Sequence, residues 1–215
     1  MKVSRKEIRR YLGYGRNEGD ERVNGLIEEC VKELSSAAAP KCISRIYPLK
    51  LFSGEEIDFT VFRTKSRNLS RNLKDCSQVI LFAATLGTGV DMLLHKYTKL
   101  QMSKAVIMQA AAAAMIEEYC DEENVLLKQN YEEKGLYLRP RFSPGYGDFG
   151  LECQKEITAA LETSKRVGIM LTDSLLMTPS KSVTAVIGVS PKPYRCDIKG
   201  CEVCEKTDCA YRRSL

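Results

Sequence analysis

The chain has 215 residues, with 44% apolar and 28% charged residues, which is typical of a soluble globular protein. This length predicts one domain, or a domain with an appendage, that buries a sizeable core. The net charge of +5 is spread out and weaker than in dedicated nucleic-acid binders, so we expect no nucleic-acid partner. The charged opening MKVSRKEIRRYLG does not resemble a signal peptide, and AVIMQAAAAAMIEEYC is too short and alanine-rich to span a bilayer. Nine cysteines, an odd number, indicate reduced thiols in a cytoplasm.

The first part of the chain predicts helices followed by strands. Residues 5–35 have helical spacing around a glycine-rich break between Gly13 and Gly19. The segments CISRIYPLKL and IDFTVFRT alternate like strands, with the turn SGEE between them. Ser66 is a candidate N-cap for a short helix that carries Leu69 and Leu73. The continuous apolar run QVILFAAT predicts a central strand.

The second part predicts two long helices, from Thr88 to about Tyr97 and from Ser103 to about Leu127. LYLRPRF predicts a strand, and Asp148 is a candidate N-cap for a helix that ends near Leu161. VGIMLTDSLLM and SVTAVIGVS are β-rich and are separated by the turn TPSK. Without regular βαβ alternation, this order favours an α+β fold with a twisted, largely antiparallel sheet and flanking helices. We expect a domain over residues 1–190, with an N-terminal part to residue 70 and a second part over 75–190, and a short Cys-rich tail over 191–215.

The segment RFSPGYG contains a proline and two glycines within seven residues. A Pro-Gly pair makes a tight turn, which can bring Arg141 and Tyr146 to the same side. An arginine fork suits a carboxylate, and a tyrosine face suits a cation or a flat base. The spacing alone favours a structural turn beside an edge strand.

Two ordered motifs make this region more specific. LRPRFSPGYGDF, followed about thirty residues later by LTDSLLMTPSKSVTAVIGVS, resembles the activation (reactivation) domain of cobalamin-dependent methionine synthase. FAATLGTGVDMLL and the helix that ends in MIEEYCDEE resemble the preceding part of that domain more weakly, so the resemblance covers roughly residues 75–195. Residues 1–190 would then be an activation-like domain in its free-standing form, with the S-adenosylmethionine-binding part over 75–190.

The resemblance implies roles for residues of the turn. Arg141 would take the carboxylate of the methionyl part of S-adenosylmethionine. The backbone at Ser143 and Gly145 would lie against the ligand, and Tyr146 would form a wall.

Glu118 and Tyr194 are implied as further ligand contacts. Glu118 matches a helix carboxylate near the ligand's ammonium or sulfonium charge, and Tyr194 matches a tyrosine after the last strand. The sequence departs from the family pattern at Asp173, where a glutamate is usual, and at Gly147, where a proline is usual. A counterpart of the family's N-terminal aspartate contact is not identifiable, so the contacts to the adenosine side stay open.

The function implied is reactivation of a corrinoid-dependent methyltransferase in methionine biosynthesis. The partner would carry the cobalamin, because this chain has a single histidine, His95, and no Asp-x-His-x-x-Gly motif. Binding would only position the methyl group and the cobalt, so no catalytic acid or base is assigned and the chemistry belongs to the complex. Whether the chain alone counts as an enzyme is left open.

The tail CDIKGCEVCEKTDC has the spacing C-x4-C-x2-C-x4-C. Four thiolates this close can bind one tetrahedral metal ion or an iron–sulfur cluster. Reduced free thiols and two local disulfides are the alternatives. The candidate ligands are Cys196, Cys201, Cys204 and Cys209. The other five cysteines are scattered and predicted to be small buried residues.

Two further segments allow a functional and a structural interpretation. FRTKSRNLSRNLK carries five basic residues and no acid, which fits a solvated face or a docking patch for an acidic flavodoxin-type or ferredoxin-type electron donor. TLGTGVD has Met92 at the third glycine position and no Walker lysine, so it predicts a strand-to-helix turn and not a phosphate loop.

Two other functions remain open at this stage. One is a metal-stabilised binding module that contacts nucleic acid or protein through the Cys-rich tail. The other is a structural subunit of a corrinoid complex with a degenerate ligand site.

Overall fold

The computed structural model of the chain describes residues 3–14 and 21–193. The helices of this part are α1 Arg5–Tyr11, α2 Glu21–Ala37, α3 Arg67–Asn72, α4 Thr88–Leu100, α5 Met102–Glu132, α6 Cys153–Leu161 and α7 Thr163–Arg166. The strands are β1 Lys41–Pro48, β2 Lys50–Leu51, β3 Glu56–Asp58, β4 Arg63–Lys65, β5 Gln78–Thr85, β6 Tyr137–Leu138, β7 Met170–Leu171, β8 Met177–Thr178 and β9 Ser182–Ser190.

The centre of the fold is a four-stranded antiparallel sheet in the order β1-β5-β9-β6. Strand β5 pairs on both sides, and successive side chains point to opposite faces of the sheet. Ile80 and Phe82 enter one hydrophobic cluster, whereas Val79 and Leu81 enter the other. Because both faces are covered, QVILFAAT needs no polar alternation, and its prediction as a central strand is confirmed.

Helices lie on both faces of this sheet. The first cluster contains residues of α1, α2, α4 and α5, among them Ile8, Ile27 and Met108. The second contains residues of α3, α6 and the small sheet β2-β3-β4, such as Leu69 and Ile157. The α+β fold with an antiparallel sheet and flanking helices is therefore confirmed for the described residues.

The connection from β5 to α4 is the strand-to-helix turn predicted for TLGTGVD. The Thr85 hydroxyl accepts a hydrogen bond from the backbone N–H of Gly87, at 3.1 Å. Gly87 has a φ of +85°, a conformation that favours glycine. A Cβ on Gly89 would lie 2.2 Å from the carbonyl oxygen of Ala37, so the start of α4 packs directly on the end of α2.

Two predicted strands are wrong in extent. IDFTVFRT is a hairpin of β3 and β4, because Asp58 Oδ1 accepts from the backbone N–H of Thr60 at 2.7 Å and Thr60 turns the chain at a φ of +72°. LYLRPRF forms only the two-residue strand β6 and a single bridge from Phe142 to Val186. Pro140 lacks the N–H that would continue the ladder between them.

Candidate functional site

The turn after Phe142 is closed by its own backbone. The N–H of Gly145 donates to the carbonyl of Phe149 at 2.8 Å, and the N–H of Tyr146 donates to the carbonyl of Ser143 at 3.2 Å. Phe149 is buried, and its ring lies 6.2 Å from that of Phe142. Gly145 has a φ of +89°. Tyr146 at the tip is 68% exposed, so the turn presents an aromatic face to solvent.

Arg141 precedes this turn and points to α5. Its Nη2 lies 2.8 Å from Asp121 Oδ1 and 3.4 Å from Glu117 Oε2. The side chain is only 16% exposed. Its Nη1 atom is buried and has no hydrogen-bond partner within the described residues. One edge of the guanidinium is thus paired with acids, while the hydrogen-bonding capacity of Nη1 is not used by the described residues.

The two carboxylates that hold Arg141 come from one face of α5. Glu117 and Asp121 are four residues apart, and side chains at this spacing lie on the same side of a helix. The site thus combines one guanidinium with two acids, which suits a ligand that carries both a carboxylate and a positive charge.

Tyr11 of helix α1 lies within electrostatic range of Glu117. Burial raises the pKa of the Tyr11 hydroxyl, and the charge of Glu117 raises it further, whereas Arg10 opposes the shift. The guanidinium carbon of Arg10 lies 4.4 Å from the centre of the Tyr11 ring. A side chain from the N-terminal part of the chain is therefore coupled electrostatically to Glu117, one of the two acids that contact Arg141.

The structure brings together only some of the predicted site residues. Arg141, Ser143, Gly145 and Tyr146 lie in or beside one turn. Glu118 is half-buried on α5 next to Glu117, but it makes no hydrogen bond or ion pair with the described residues. Tyr194 lies outside the described residues. The role expected for Glu118 stays a prediction, and the acids that contact Arg141 are Glu117 and Asp121.

Sequence reasoning missed Glu117, Asp121 and Tyr11. The available signal was the pair of acids four residues apart in EEYCDEE, on the helix that precedes Arg141. Several acids follow one another in this segment, and neighbours in a helix point about 100° apart, so helical periodicity alone does not select among them. Tyr11 offers no signal, because its proximity to the site depends on how α1 packs on α5.

The predicted N-cap role of Asp148 is wrong. Helix α6 begins at Cys153, and its N-cap residue Glu152 makes no side-chain cap hydrogen bond. The Asp148 carboxylate instead lies at the N-terminus of α3, next to Ser66. The predicted capping of α3 by Ser66 is confirmed, since its Oγ accepts from the backbone N–H of Leu69 at 3.1 Å.

The candidate metal ligands Cys196, Cys201, Cys204 and Cys209 also lie outside the described residues. Within residues 3–14 and 21–193, no group of three or more His, Cys, Asp or Glu residues could hold a metal ion. The five cysteines of this part are free thiols. Cys30, Cys120 and Cys153 are buried as predicted, whereas Cys42 and Cys76 are half-buried.

The basic segment FRTKSRNLSRNLK, which contains α3, is partly neutralised by ion pairs. Arg63 pairs with Asp58 at 3.0 Å, and Arg67 pairs with Glu55 at 3.5 Å. The remaining basic residues of the segment form no ion pair with the described part of the chain. They are Lys65, Arg71 and Lys74.

Comparison with known proteins identifies the class to which this fold and turn belong. The sequence model of the vitamin B12-dependent methionine synthase activation domain matches residues 69–214, more than half of the chain. The chain therefore belongs to the family of vitamin B12-dependent methionine synthase activation domains. No curated protein matches it.

A solved structure supports the fold. The chain is similar to the crystal structure of the MetH reactivation domain bound to AdoHcy, with a TM-score of 0.58 and 16% sequence identity. The match covers 87% of this chain and 76% of that chain. Elements α1, α2 and β1–β4 precede the residues that the family model matches. Across the described residues, no helix is long and apolar enough to cross a membrane.

Proposed function

We propose that this protein binds S-adenosylmethionine and supports reductive methylation of the corrinoid cofactor of a partner, a cobalamin-dependent methionine synthase or a related methyltransferase. Family membership and the AdoHcy-bound structural relative support the ligand class. The single observation that carries the proposal is Arg141, whose buried Nη1 has no partner among the described residues and lies beside the Pro-Gly turn. Cytoplasmic location in a reducing setting is part of the proposal and is supported by the odd number of cysteines.

The side chains around Arg141 fit the proposed ligand. A carboxylate can accept from Nη1, which is a charge-assisted hydrogen bond in a partly buried position. Glu117 and Asp121 are close enough to Arg141 to face the ammonium or sulfonium charge of the same ligand. The open face of Tyr146 suits a cation or the flat adenine. Glu118, Ser143 and Gly145 remain proposed contacts, as does Tyr194.

The chemistry requires positioning by this chain and no acid or base from it. S-adenosylmethionine would supply the methyl group and leave as S-adenosylhomocysteine, and an electron donor would supply the one electron that reduces the partner's cob(II)alamin before the transfer. Arg141 and the turn would fix the methionyl part, and the acids of α5 would orient the sulfonium. Cobalamin stays with the partner.

Binding to Arg141 can be tested by calorimetry. Titration with S-adenosylmethionine and S-adenosylhomocysteine should show binding, and Arg141→Ala should weaken it by about 1.5–3 kcal/mol. Decarboxylated S-adenosylmethionine lacks the group that Arg141 contacts, so its affinity should be the same for the wild type and Arg141→Ala. Arg166→Ala is the matched control, because Arg166 is half-exposed and pairs with Glu162, the N-cap residue of its own helix α7. No binding by the wild type at millimolar ligand would refute the proposal.

Reactivation itself is measured with a partner. A corrinoid methyltransferase in the cob(II)alamin state, a reductant and S-adenosylmethionine should give methylcobalamin, seen in the absorption spectrum, only when this protein is present. Equal rates with and without it would leave the protein as a ligand binder or a structural subunit.

We further propose that an acidic electron donor docks on the basic segment at α3. Lys65, Arg71 and Lys74 support this, because their charges are not paired within the described residues. Arg71→Glu should slow donor-dependent reactivation and reduce its dependence on salt, while affinity for S-adenosylhomocysteine stays unchanged. Unchanged donor kinetics would exclude this surface.

The Cys-rich tail is proposed to bind zinc or an iron–sulfur cluster through Cys196, Cys201, Cys204 and Cys209. The proposal rests on their spacing in the sequence.

A further inference from the structure

Residues 143–149 form the turn beside Arg141, which we call the ligand turn. The Asp148 carboxylate joins this turn to helix α3, about eighty residues away in the chain. Its Oδ1 accepts from Ser66 Oγ at 2.6 Å and from the backbone N–H of Asn68 at 3.1 Å. Its Oδ2 accepts from the backbone N–H of Arg67 at 2.7 Å. A carboxylate of the turn therefore fills the N-terminus of α3, where free N–H groups and the helix dipole favour negative charge.

Close packing accompanies these hydrogen bonds. Gly147, next to Asp148, has a φ of +57°, and a Cβ there would lie 2.4 Å from Asn68 Nδ2. On the other side of Asp148, Phe149 is buried and accepts at its carbonyl from the N–H of Gly145. The turn is thus fixed at Asp148 on α3 and at Phe149 in the core, while Tyr146 stays exposed.

We infer that Asp148 is a positioning residue for the ligand site, which rests on the proposed function. It contacts α3 and not the proposed ligand, and it acts by holding the backbone of Gly145 and the ring of Tyr146 in one orientation relative to Arg141. A pre-organised turn loses less conformational freedom on binding, so the hydrogen bonds of Asp148 to α3 should increase the affinity for the ligand. With ligand saturating, the reaction rate should not depend on it.

The test compares two aspartates with similar partners. Asp148→Asn places an amide against donors that need an acceptor. Asp91→Asn is the matched control, because the Asp91 carboxylate accepts from the N–H of Ser180 at 2.7 Å and from its hydroxyl at 2.6 Å, and so anchors a different loop. The measurements are the affinity for S-adenosylhomocysteine, the unfolding midpoint without ligand, and amide hydrogen exchange across residues 143–149.

Asp148→Asn should weaken binding about tenfold or more and speed exchange at the amides of Gly145 and Phe149. At saturating S-adenosylmethionine, its reactivation rate should equal that of the wild type. Asp91→Asn should lower the unfolding midpoint without changing affinity. If Asp148→Asn fails to fold, Ser66→Ala removes one of the three donors and should give a smaller loss of affinity in the same direction.

The outcomes separate this inference from the proposed function. A wild type that binds, with unchanged affinity in Asp148→Asn, overturns the inference alone. An equal loss of affinity in Asp91→Asn also overturns it, because the effect would then reflect general stability. A wild type that does not bind S-adenosylhomocysteine overturns the proposed function and the inference together.

Discussion

Lys104 on α5 and Glu33 on α2 form an ion pair in which Nζ lies 2.6 Å from Oε1, although the Lys104 side chain is only 5% exposed. Glu29 is a second partner of the same ammonium group, and Tyr97 donates from its hydroxyl to Glu33 at 2.7 Å. Burial alone would lower the pKa of Lys104, but the hydrogen bonds that its ammonium donates to both glutamates outweigh it and the pKa is raised. The charge is therefore retained inside the contact between α2 and α5.

The two sides of this ion pair should respond differently to substitution. Glu29→Gln/Glu33→Gln leaves a buried ammonium without an opposite charge, and it should lower the free energy of unfolding by about 3–5 kcal/mol. Lys104→Met leaves two carboxylates that can turn to water, so its cost should stay within about 1 kcal/mol. Urea unfolding measures both. Equal losses in the free energy of unfolding would show that an unpaired Lys104 ammonium is no more destabilising than the unpaired glutamates.

Glu33 should make the free energy of unfolding depend on pH in the acid range. The hydrogen bond from Lys104 lowers the pKa of Glu33, partial burial opposes this, and the hydrogen bond from Tyr97 adds to it. Because the folded pKa is below the unfolded value of 4.5, the contribution is present above that pH and is lost as pH falls through the folded pKa. Glu33→Gln should therefore lose less stability than the wild type between about pH 5 and pH 3. Urea unfolding across this pH range measures the difference, and equal losses in the two proteins would exclude Glu33 as its source.

Local patterns predicted the centre of this fold well. QVILFAAT is short and continuously apolar, so a strand formed from it has two apolar faces. Both faces are buried in the fold, as this pattern predicts. Ser66 caps α3 because the donor that it satisfies, at Leu69, is three residues away. Such features depend on a few consecutive residues, and the sequence contains all of the relevant information.

Contacts between distant residues limited the prediction of the site. Asp148 has the residue type and the position of an N-cap for the helix after it, but its carboxylate lies on α3, which precedes it by about eighty residues. Arg141 was predicted from the turn motif, whereas Glu117 and Asp121 depend on how β6 and α5 pack. A hairpin was mistaken for one strand at IDFTVFRT, because Asp58 and Thr60 form the turn without glycine or proline.

Two helical glycines should respond to alanine in opposite directions. Gly25 in α2 has nothing within 4 Å of an added Cβ, so Gly25→Ala should stabilise the protein by about 0.5–1 kcal/mol. Gly89 in α4 would place its Cβ 2.2 Å from the Ala37 carbonyl, and backbone must move to accept it. Gly89→Ala should therefore lower the unfolding midpoint despite the same gain in helix propensity. Stabilisation by both substitutions would contradict the close approach of α4 to α2.

Gly147→Ala tests how tightly the ligand turn packs on α3. The added Cβ would meet Asn68 Nδ2 at 2.4 Å, at a φ of +57° that disfavours alanine. We expect a loss of affinity for S-adenosylhomocysteine that Asn68→Ala partly restores, because removing the amide leaves only the backbone strain. The double-mutant cycle is measured by calorimetry. Independent effects of the two substitutions would mean that the turn adjusts without cost.

Metal analysis of the Cys-rich tail distinguishes two functions for it. Zinc has no redox chemistry, so its removal by a chelator should lower stability and leave electron transfer intact. An iron–sulfur cluster could pass an electron from a donor to the cobalt, and a reductive activator has a direct use for such a carrier, so we expect the cluster. Anaerobic purification should then give a brown protein with iron and labile sulfide in proportion to protein.

Cys204→Ser should lose the cluster and the donor-dependent rate, whereas Cys76→Ser, at a half-buried thiol in the domain, should keep both. Stoichiometric zinc would exclude the electron relay, and metal-free protein with four titratable tail thiols would exclude both forms of the site.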